Sequence, residues 1–203
     1  MNFVDLAAVT IHDVKNRLAV LANRAEDQGD SATMRGVLEA AATLSRLLAL
    51  YKADSGGLLS DIEARTPADL LAELAAEFGK QSALHFAVEL SAAPNLWFYD
   101  ENLVKMVLQD ALYNALRHAR REIRLSAVAD GEWLEFSVHD DGPGYPPNML
   151  DQALAIQPIS REGTGLGLHL AGRVAALHRN GGREGYVRLS NANGARFSLL
   201  LPK

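Results

Sequence analysis

The sequence predicts an α+β protein: an N-terminal antiparallel two-helix hairpin, followed by an α/β sandwich. Three observations lead there. Residues 1 to about 53 carry apolar side chains at alternating steps of three and four, with no strand-like run. Residues 66–203 alternate helical patterns with short period-two strands. Two glycine-rich turns, Asp140-Asp141-Gly142-Pro143-Gly144 and Gly163-Thr164-Gly165-Leu166-Gly167-Leu168, interrupt that second part, and the later one opens an apolar helix.

In the first helix Val4, Ala7, Ile11, Val14, Leu18, Leu21 and Ala25 form one seam, and in the second Val37, Ala41, Leu44, Leu48 and Tyr51 form another. Between them Asp27-Gln28-Gly29-Asp30-Ser31 supplies a turn glycine and capping side chains. Two helices of this length cannot cover both seams with each other alone, so a four-helix bundle built by two chains, a homodimer, is expected. The hairpin domain spans 1–57, and Leu58 to Arg65 reads as a linker.

The second domain, 66–203, opens at Thr66-Pro67, a capping hydroxyl followed by proline at the first helical position, and that helix runs to about Lys80. Strand-like runs follow at Leu84 to Leu90 and Leu96 to Tyr99, then a long helix from Asp100 to about Ala119. Strands at Ile123 to Ala129 and Trp133 to His139 meet at Asp130-Gly131. A helix from about Gly165 to Arg179 stops at Asn180-Gly181-Gly182, and two last strands, Glu184 to Ser190 and Arg196 to Leu201, turn at Asn193-Gly194.

Composition narrows the function classes. A net charge of −5 argues against a general nucleic-acid binder, and the absence of cysteine excludes disulfides and thiolate metal sites and fits a cytoplasmic protein. No apolar stretch approaches the roughly 20 residues of a membrane helix, so no membrane insertion is expected. The glycine turns, with a helix N-terminus behind the second, suit an anion such as a nucleotide triphosphate: backbone amides point at it and the helix dipole favours it.

Together Ile11-His12-Asp13-Val14-Lys15-Asn16, the helix with Asn114, the Asp140 turn and the Gly163–Gly167 run resemble, in order, the catalytic core of bacterial two-component sensor histidine kinases. The resemblance covers nearly the whole chain and implies an ATP-binding domain of the histidine kinase/Hsp90-like ATPase type behind a dimerisation and phosphoacceptor hairpin. It implies that His12 accepts the phosphoryl group, with Asp13 as general base and Asn16 positioning groups or a water for the reverse reaction. The residue pattern fits: His12 lies one position past the seam residue Ile11, and a neighbouring carboxylate can hold an imidazole in the right tautomer and take its proton.

For the second domain the resemblance implies that ATP binds with Mg²⁺. Asn114 would be a metal ligand, and Arg117 and His118, one turn on, would face phosphate oxygens. Asp140 would accept from the exocyclic amine of adenine, and Gly142 and Gly144 would let the backbone come close. Gly163, Thr164, Gly165, Leu166 and Gly167 would complete the nucleotide site, and Tyr145 to Glu162 would form its lid, with Leu154, Ile156 and Ile159 as apolar contacts and Arg161 reaching a phosphate. Asp110 stands where most histidine kinases carry asparagine, and reads either as a metal-proximal ligand or as a general base. Other departures are Arg17 where the family often has a helix-kinking proline, Asp141 in place of asparagine, and a short lid without the phenylalanine-rich box. His85, His139, His169 and His178 read as structural.

The expected reaction is autophosphorylation of His12 from ATP, then transfer to an aspartate of a response-regulator receiver domain. With His12 so close to Met1, the chain is either a fragment of a larger sensor or takes its input from a separate sensor protein. Two rivals share features: a histidine phosphotransferase with a degenerate ATPase domain, and a serine kinase of the anti-sigma-factor type, suggested by the Asp110/Asn114 pair.

Overall fold

The computed structural model describes residues 3–54, 57–80, 82–150 and 166–203. The chain divides into two compact units, Met1–Leu58 and Leu59–Lys203.

The first unit is two long helices packed on each other, α1 (Phe3–Asp27) and α2 (Ser31–Asp54). Gly29 takes the left-handed conformation the turn requires, at φ 68°. Asp30 then caps α2: its Oδ1 accepts the Thr33 amide at 3.0 Å and its Oδ2 the Thr33 hydroxyl at 2.6 Å. The seam is only partly covered. Of its residues Ala25 is buried, whereas Val14, Leu21 and Tyr51 are 39–47% exposed.

The second unit is a mixed five-stranded sheet backed by helices. Its elements are β1 (Glu63–Arg65), α3 (Pro67–Gly79), β2 (His85–Glu89), β3 (Trp97–Tyr99), α4 (Glu101–His118), β4 (Glu122–Asp130), β5 (Trp133–Asp140), a one-turn α5 (Pro147–Leu150), α6 (Leu166–Leu177), β6 (Arg179–Asn180), β7 (Arg183–Glu184), β8 (Tyr186–Asn191) and β9 (Ala195–Pro202). The sheet order is β2-β4-β5-β9-β8, and β1 pairs with β3 in a separate ribbon. Every pairing is antiparallel except β2 with β4. That parallel pair is bridged by a crossover through α4, the connection a parallel pair needs.

One face of the sheet is apolar. Ile123, Leu125, Leu134, Phe136, Leu199 and Leu201 are wholly buried, against Leu70, Leu71 and Leu74 of α3, Leu108 and Leu112 of α4, and Leu170 and Val174 of α6. The alternate positions are polar: Ser126 bonds Ser137 at 2.7 Å, and Ser198 donates to Glu135 at 2.7 Å. These serines are buried too, and their hydroxyls are satisfied by each other and by Glu135, as buried polar groups require. The ribbon is fastened to the sheet where the Trp97 indole donates to the Pro202 carbonyl (3.2 Å) and Tyr99 meets Phe136 edge-on at 5.4 Å.

Two expectations change here. The stretch expected to be a linker, Leu58 to Arg65, contains β1, and from Leu59 on it falls in the second unit. The Asn180-Gly181-Gly182 stop is the turn of a small hairpin, β6–β7, with both glycines at positive φ (57° and 79°), and Arg179 belongs to that hairpin rather than to α6.

Candidate nucleotide site

The site is built along one face of α4. Asp100 starts the helix, its Oδ1 accepting the Leu103 amide at 3.0 Å while its Oδ2 accepts the Asp61 amide at 2.8 Å. Further along, Asp110, Asn114, Arg117 and His118 recur at helical spacing and share a face. Asp110 lies against the first turn of α6, where a Cβ at Gly167 would run into its carboxylate. Negative charge there is favoured by the N-terminal end of a helix. At the other end, the His118 carbonyl lies against Gly142, where a Cβ would collide with it. Asn114 is one turn from each, so it sits between the glycine turn and the start of α6.

The glycine turn itself is held at every step. Asp140, 3% exposed, ends β5, and its Oδ1 accepts the Gly142 amide at 2.8 Å. Asp141 Oδ1 accepts the amides of Arg120, Arg121 and Glu122 at 2.7, 3.1 and 3.3 Å. Those bonds, the Arg121 amide first, hold its carboxyl below the usual range. Gly144 has φ 85°, and a Cβ on it would lie 2.8 Å from the Asn191 side chain. That carboxamide clamps the next residue, its Oδ1 accepting the Tyr145 amide (2.8 Å) and its Nδ2 donating to the Tyr145 carbonyl (2.9 Å). Burial, and secondarily the Asp140 charge, push the Tyr145 phenol well above its ordinary range. Behind the turn, Gly194 at φ 141° admits the Asp140 carbonyl into the space a side chain would fill.

The glycines thus have a reason that the sequence reading does not supply. At Gly142, Gly144 and Gly167 the space a side chain would take is filled by His118, Asn191 and Asp110 of the same chain. Asn191 and Gly194 are absent from the sequence-based candidates, and Asp141 enters them only as a replacement for asparagine. The hairpin turn at Asn193-Gly194 is visible in the sequence, but nothing there says it backs a turn so far up the chain.

Other candidates fall elsewhere. His12, Asp13 and Asn16 are on α1 in the first unit, where Asp13 and Asn16 are exposed. Arg161, Gly163, Thr164 and Gly165, with the lid residues Leu154, Ile156 and Ile159, lie outside the described residues. Of the four histidines read as structural, His85 lies 3.4 Å from Glu122, His139 bonds the Ala192 carbonyl at 2.9 Å, and His178 is buried between two backbone partners.

Residues 99–203, from β3 to the last residue, match the family described as histidine kinase-, DNA gyrase B- and HSP90-like ATPase. The chain belongs to that family. Its relatives place it with the catalytic cores of bacterial histidine kinases. A probable sensor histidine kinase of Mycobacterium tuberculosis is 31% identical over 198 residues, 94% of this chain and 51% of that protein. The sensor-type histidine kinase PrrB of Mycobacterium leprae is 25% identical over 211 residues, 96% of this chain and 47% of the relative. The chain therefore spans about half the length of both. Among solved structures, full-length ShkA in complex with AMPPNP superposes with a TM-score of 0.69 at 21% identity, over 98% of this chain and 45% of that one. The Acinetobacter baumannii histidine kinase AdeS gives 0.63 at 17% identity, over 94% and 97%. At these identities the two structures speak for the fold.

The family match supports ATP binding. Among the described residues no three His, Asp or Glu side chains converge as a metal cage. Asn114 lies one turn from Asp110 on α4, so were Mg²⁺ to accompany the nucleotide, the Asn114 carboxamide oxygen would be a donor suited to it. No described helix is long and apolar enough to cross a membrane.

Proposed function

We propose that this chain is an ATP-dependent protein histidine kinase that phosphorylates its own His12 and passes the phosphoryl group to an aspartate of a response-regulator receiver domain. The observation that carries this reading is the convergence on one face of α4 of the Asp140 turn, Asn114 and the start of α6, in a chain whose α1 bears His12, Asp13 and Asn16. Asp140 reads the adenine amine, Asn114 holds Mg²⁺, and Arg117 and His118 face the phosphates. Gly142, Gly144 and the Gly163–Gly167 run, with Thr164 and Leu166, shape the pocket, and Arg161 reaches in from the lid.

In the transfer a nitrogen of neutral His12 attacks the γ-phosphorus in line. The N–P bond forms as the bond to the β,γ-bridging oxygen breaks, ADP leaves, and the imidazole proton passes to Asp13. When bound, Mg²⁺ neutralises charge on the phosphates. The protein contributes mainly placement and electrostatics. The half-exposed seam of α1 and α2 supports a homodimer in which a second copy covers Leu21 and Tyr51. The reaction belongs to the cytoplasm, and the signal reaches the chain through a larger sensor or a separate sensor protein.

The deciding experiment is incubation with γ-labelled ATP and Mg²⁺ of the wild type, His12→Gln and Asn114→Ala. The wild type is expected to take up acid-labile label and His12→Gln none. Asn114→Ala should stay folded and lose Mg²⁺-dependent nucleotide binding. Equal labelling of wild type and His12→Gln removes His12 from its role, and acid-stable label favours the serine-kinase rival. Failure to bind ATP by calorimetry leaves the phosphotransferase reading.

A further inference from the structure

The two carboxylates that open the glycine turn have separate partners. Asp140 holds the turn from inside, through the Gly142 amide. Asp141 holds the segment that follows α4. The helix is capped by Ala119 in extended conformation (φ −60°, ψ 145°), and the next three amides, of Arg120, Arg121 and Glu122, all converge on one Asp141 oxygen. Successive backbone amides around one anion form a nest, a device usually met at bound phosphates. Here the anion is the protein's own side chain. The contact is reinforced at Gly142, whose missing Cβ lets the His118 carbonyl lie against the turn.

We propose that Asp141 is a positioning residue for the nucleotide. By tying the α4–β4 turn to the glycine turn, it fixes Asp140 relative to Asn114 and His118, so that base and phosphates meet one rigid frame. This inference rests on the reading of the groove as the ATP site. An asparagine oxygen can accept the same amides, so the neutral amide should keep the tether and alanine should not. The nest also explains why a carboxylate is tolerated here in place of asparagine: both offer the same acceptor, and the charged form makes stronger bonds.

The test uses the full chain: wild type, Asp141→Asn and Asp141→Ala, titrated with Mg²⁺-ATP and Mg²⁺-GTP, alongside amide hydrogen exchange at Arg120, Arg121 and Glu122. A purely structural residue would lower stability without changing the ratio of the two affinities; a positioning residue changes that ratio. Asp141→Ala is expected to exchange faster at the three amides, to bind ATP about tenfold more weakly, the size of one net hydrogen bond, and to lose preference for ATP over GTP. Asp141→Asn should stay close to wild type on all three readouts. Should Asp141→Ala fail to fold, Asp141→Ser, whose oxygen is too short to reach three amides, takes its place with the same expectation. Unchanged ATP affinity and ratio in the alanine or serine variant overturns the inference alone. Equal losses in the asparagine and alanine variants overturn it too, because charge and not the tether would then matter. A wild type that binds no ATP overturns the reading of the groove and the inference with it.

Discussion

The two units of this chain solve the burial problem differently. In the second, Leu125, Leu134, Phe136, Leu199 and Leu201 are wholly removed from water, and polar bonds run between residues distant in sequence, such as Trp97 to Pro202 and Tyr145 to Asn191. In the first, side-chain bonds such as Thr43 to Glu39 and Ser45 to Ala41 are local, and large apolar side chains stay half in water. A unit that closes its own core can hold a site rigidly. One that leaves a stripe open has apolar surface to offer a partner, which on the reading proposed above is a second copy.

The comparison is broken or sharpened first by core truncation. Leu134→Ala empties a fully buried position in β5 and should destabilise the second unit by about 2–5 kcal/mol. Leu21→Ala, at a side chain 47% exposed, should leave that unit untouched and instead raise the dissociation constant of the dimer. Urea unfolding at several protein concentrations separates the two: one transition should move with concentration and the other stay fixed. Two concentration-independent transitions would end the comparison.

Next in size is Gly194→Ala. The residue combines φ 141° with the Asp140 carbonyl in its side-chain space, so a methyl group must distort the backbone. Strain of this kind costs about 1–3 kcal/mol. Because the displaced carbonyl belongs to Asp140, nucleotide affinity should fall further than the melting temperature implies. Calorimetry on the folded variant checks this, and unchanged affinity would show that the back of the turn does not matter to the site.

What could be read in the sequence follows from the same contrast. The period-two runs and turn glycines mark β4, β5, β8 and β9, and Pro67 marks the start of α3, although the Thr66 hydroxyl expected to cap that helix makes no capping bond; Asp100, read as the first helical residue of α4, is its cap. Strands of two or three residues, β1, β6 and β7, are too short to show a period. The parallel pairing of β2 with β4 depends on a crossover that no local pattern announces. In the first unit the heptad spacing marks the apolar seams but not that Ala22 and Ala25 are covered while Val14 and Leu21 stay open. At the site, residue types point to Asp140 and Asn114. Asp141 escapes because its partners are backbone amides, which carry no residue signature. The glycines are conspicuous, yet their neighbours, Asn191, His118 and Asp110, appear only once the chain is folded.

A smaller effect is expected at the start of α4. Asp100→Ala removes the acceptor for Leu103 and for Asp61, which lies next to β1. Loss of such a cap costs about 1 kcal/mol. Hydrogen exchange should rise at Asp61 and Leu103 together. A rise at Leu103 alone would mean that the Asp61 segment is held by something else.

The smallest effect is a pH dependence carried by His178, which belongs to the closed unit. Its Nδ1 faces the Val174 carbonyl at 2.8 Å, an oxygen that can only accept, so Nδ1 carries the proton. Its Nε2 therefore keeps a lone pair, which accepts the Asp100 amide at 3.0 Å. A second proton would set two donors against each other in a buried place. Burial lowers the pKa, and the Val174 carbonyl and the Asp100 carboxylate offset this only in part, so the folded value lies below the ordinary 6.5. As pH falls through 6.5, the unfolded chain takes up a proton that the folded chain refuses, and stability declines. Above 6.5 the contribution is fully present. The melting temperature of the second unit should thus be lower at pH 5.5 than at 7.5, and His178→Gln, which can donate and accept but does not titrate, should flatten that difference. If wild type and His178→Gln lose stability in parallel over this range, the pH dependence lies in other groups, and the neutral, doubly bonded imidazole is not what ties the end of α6 to the start of α4.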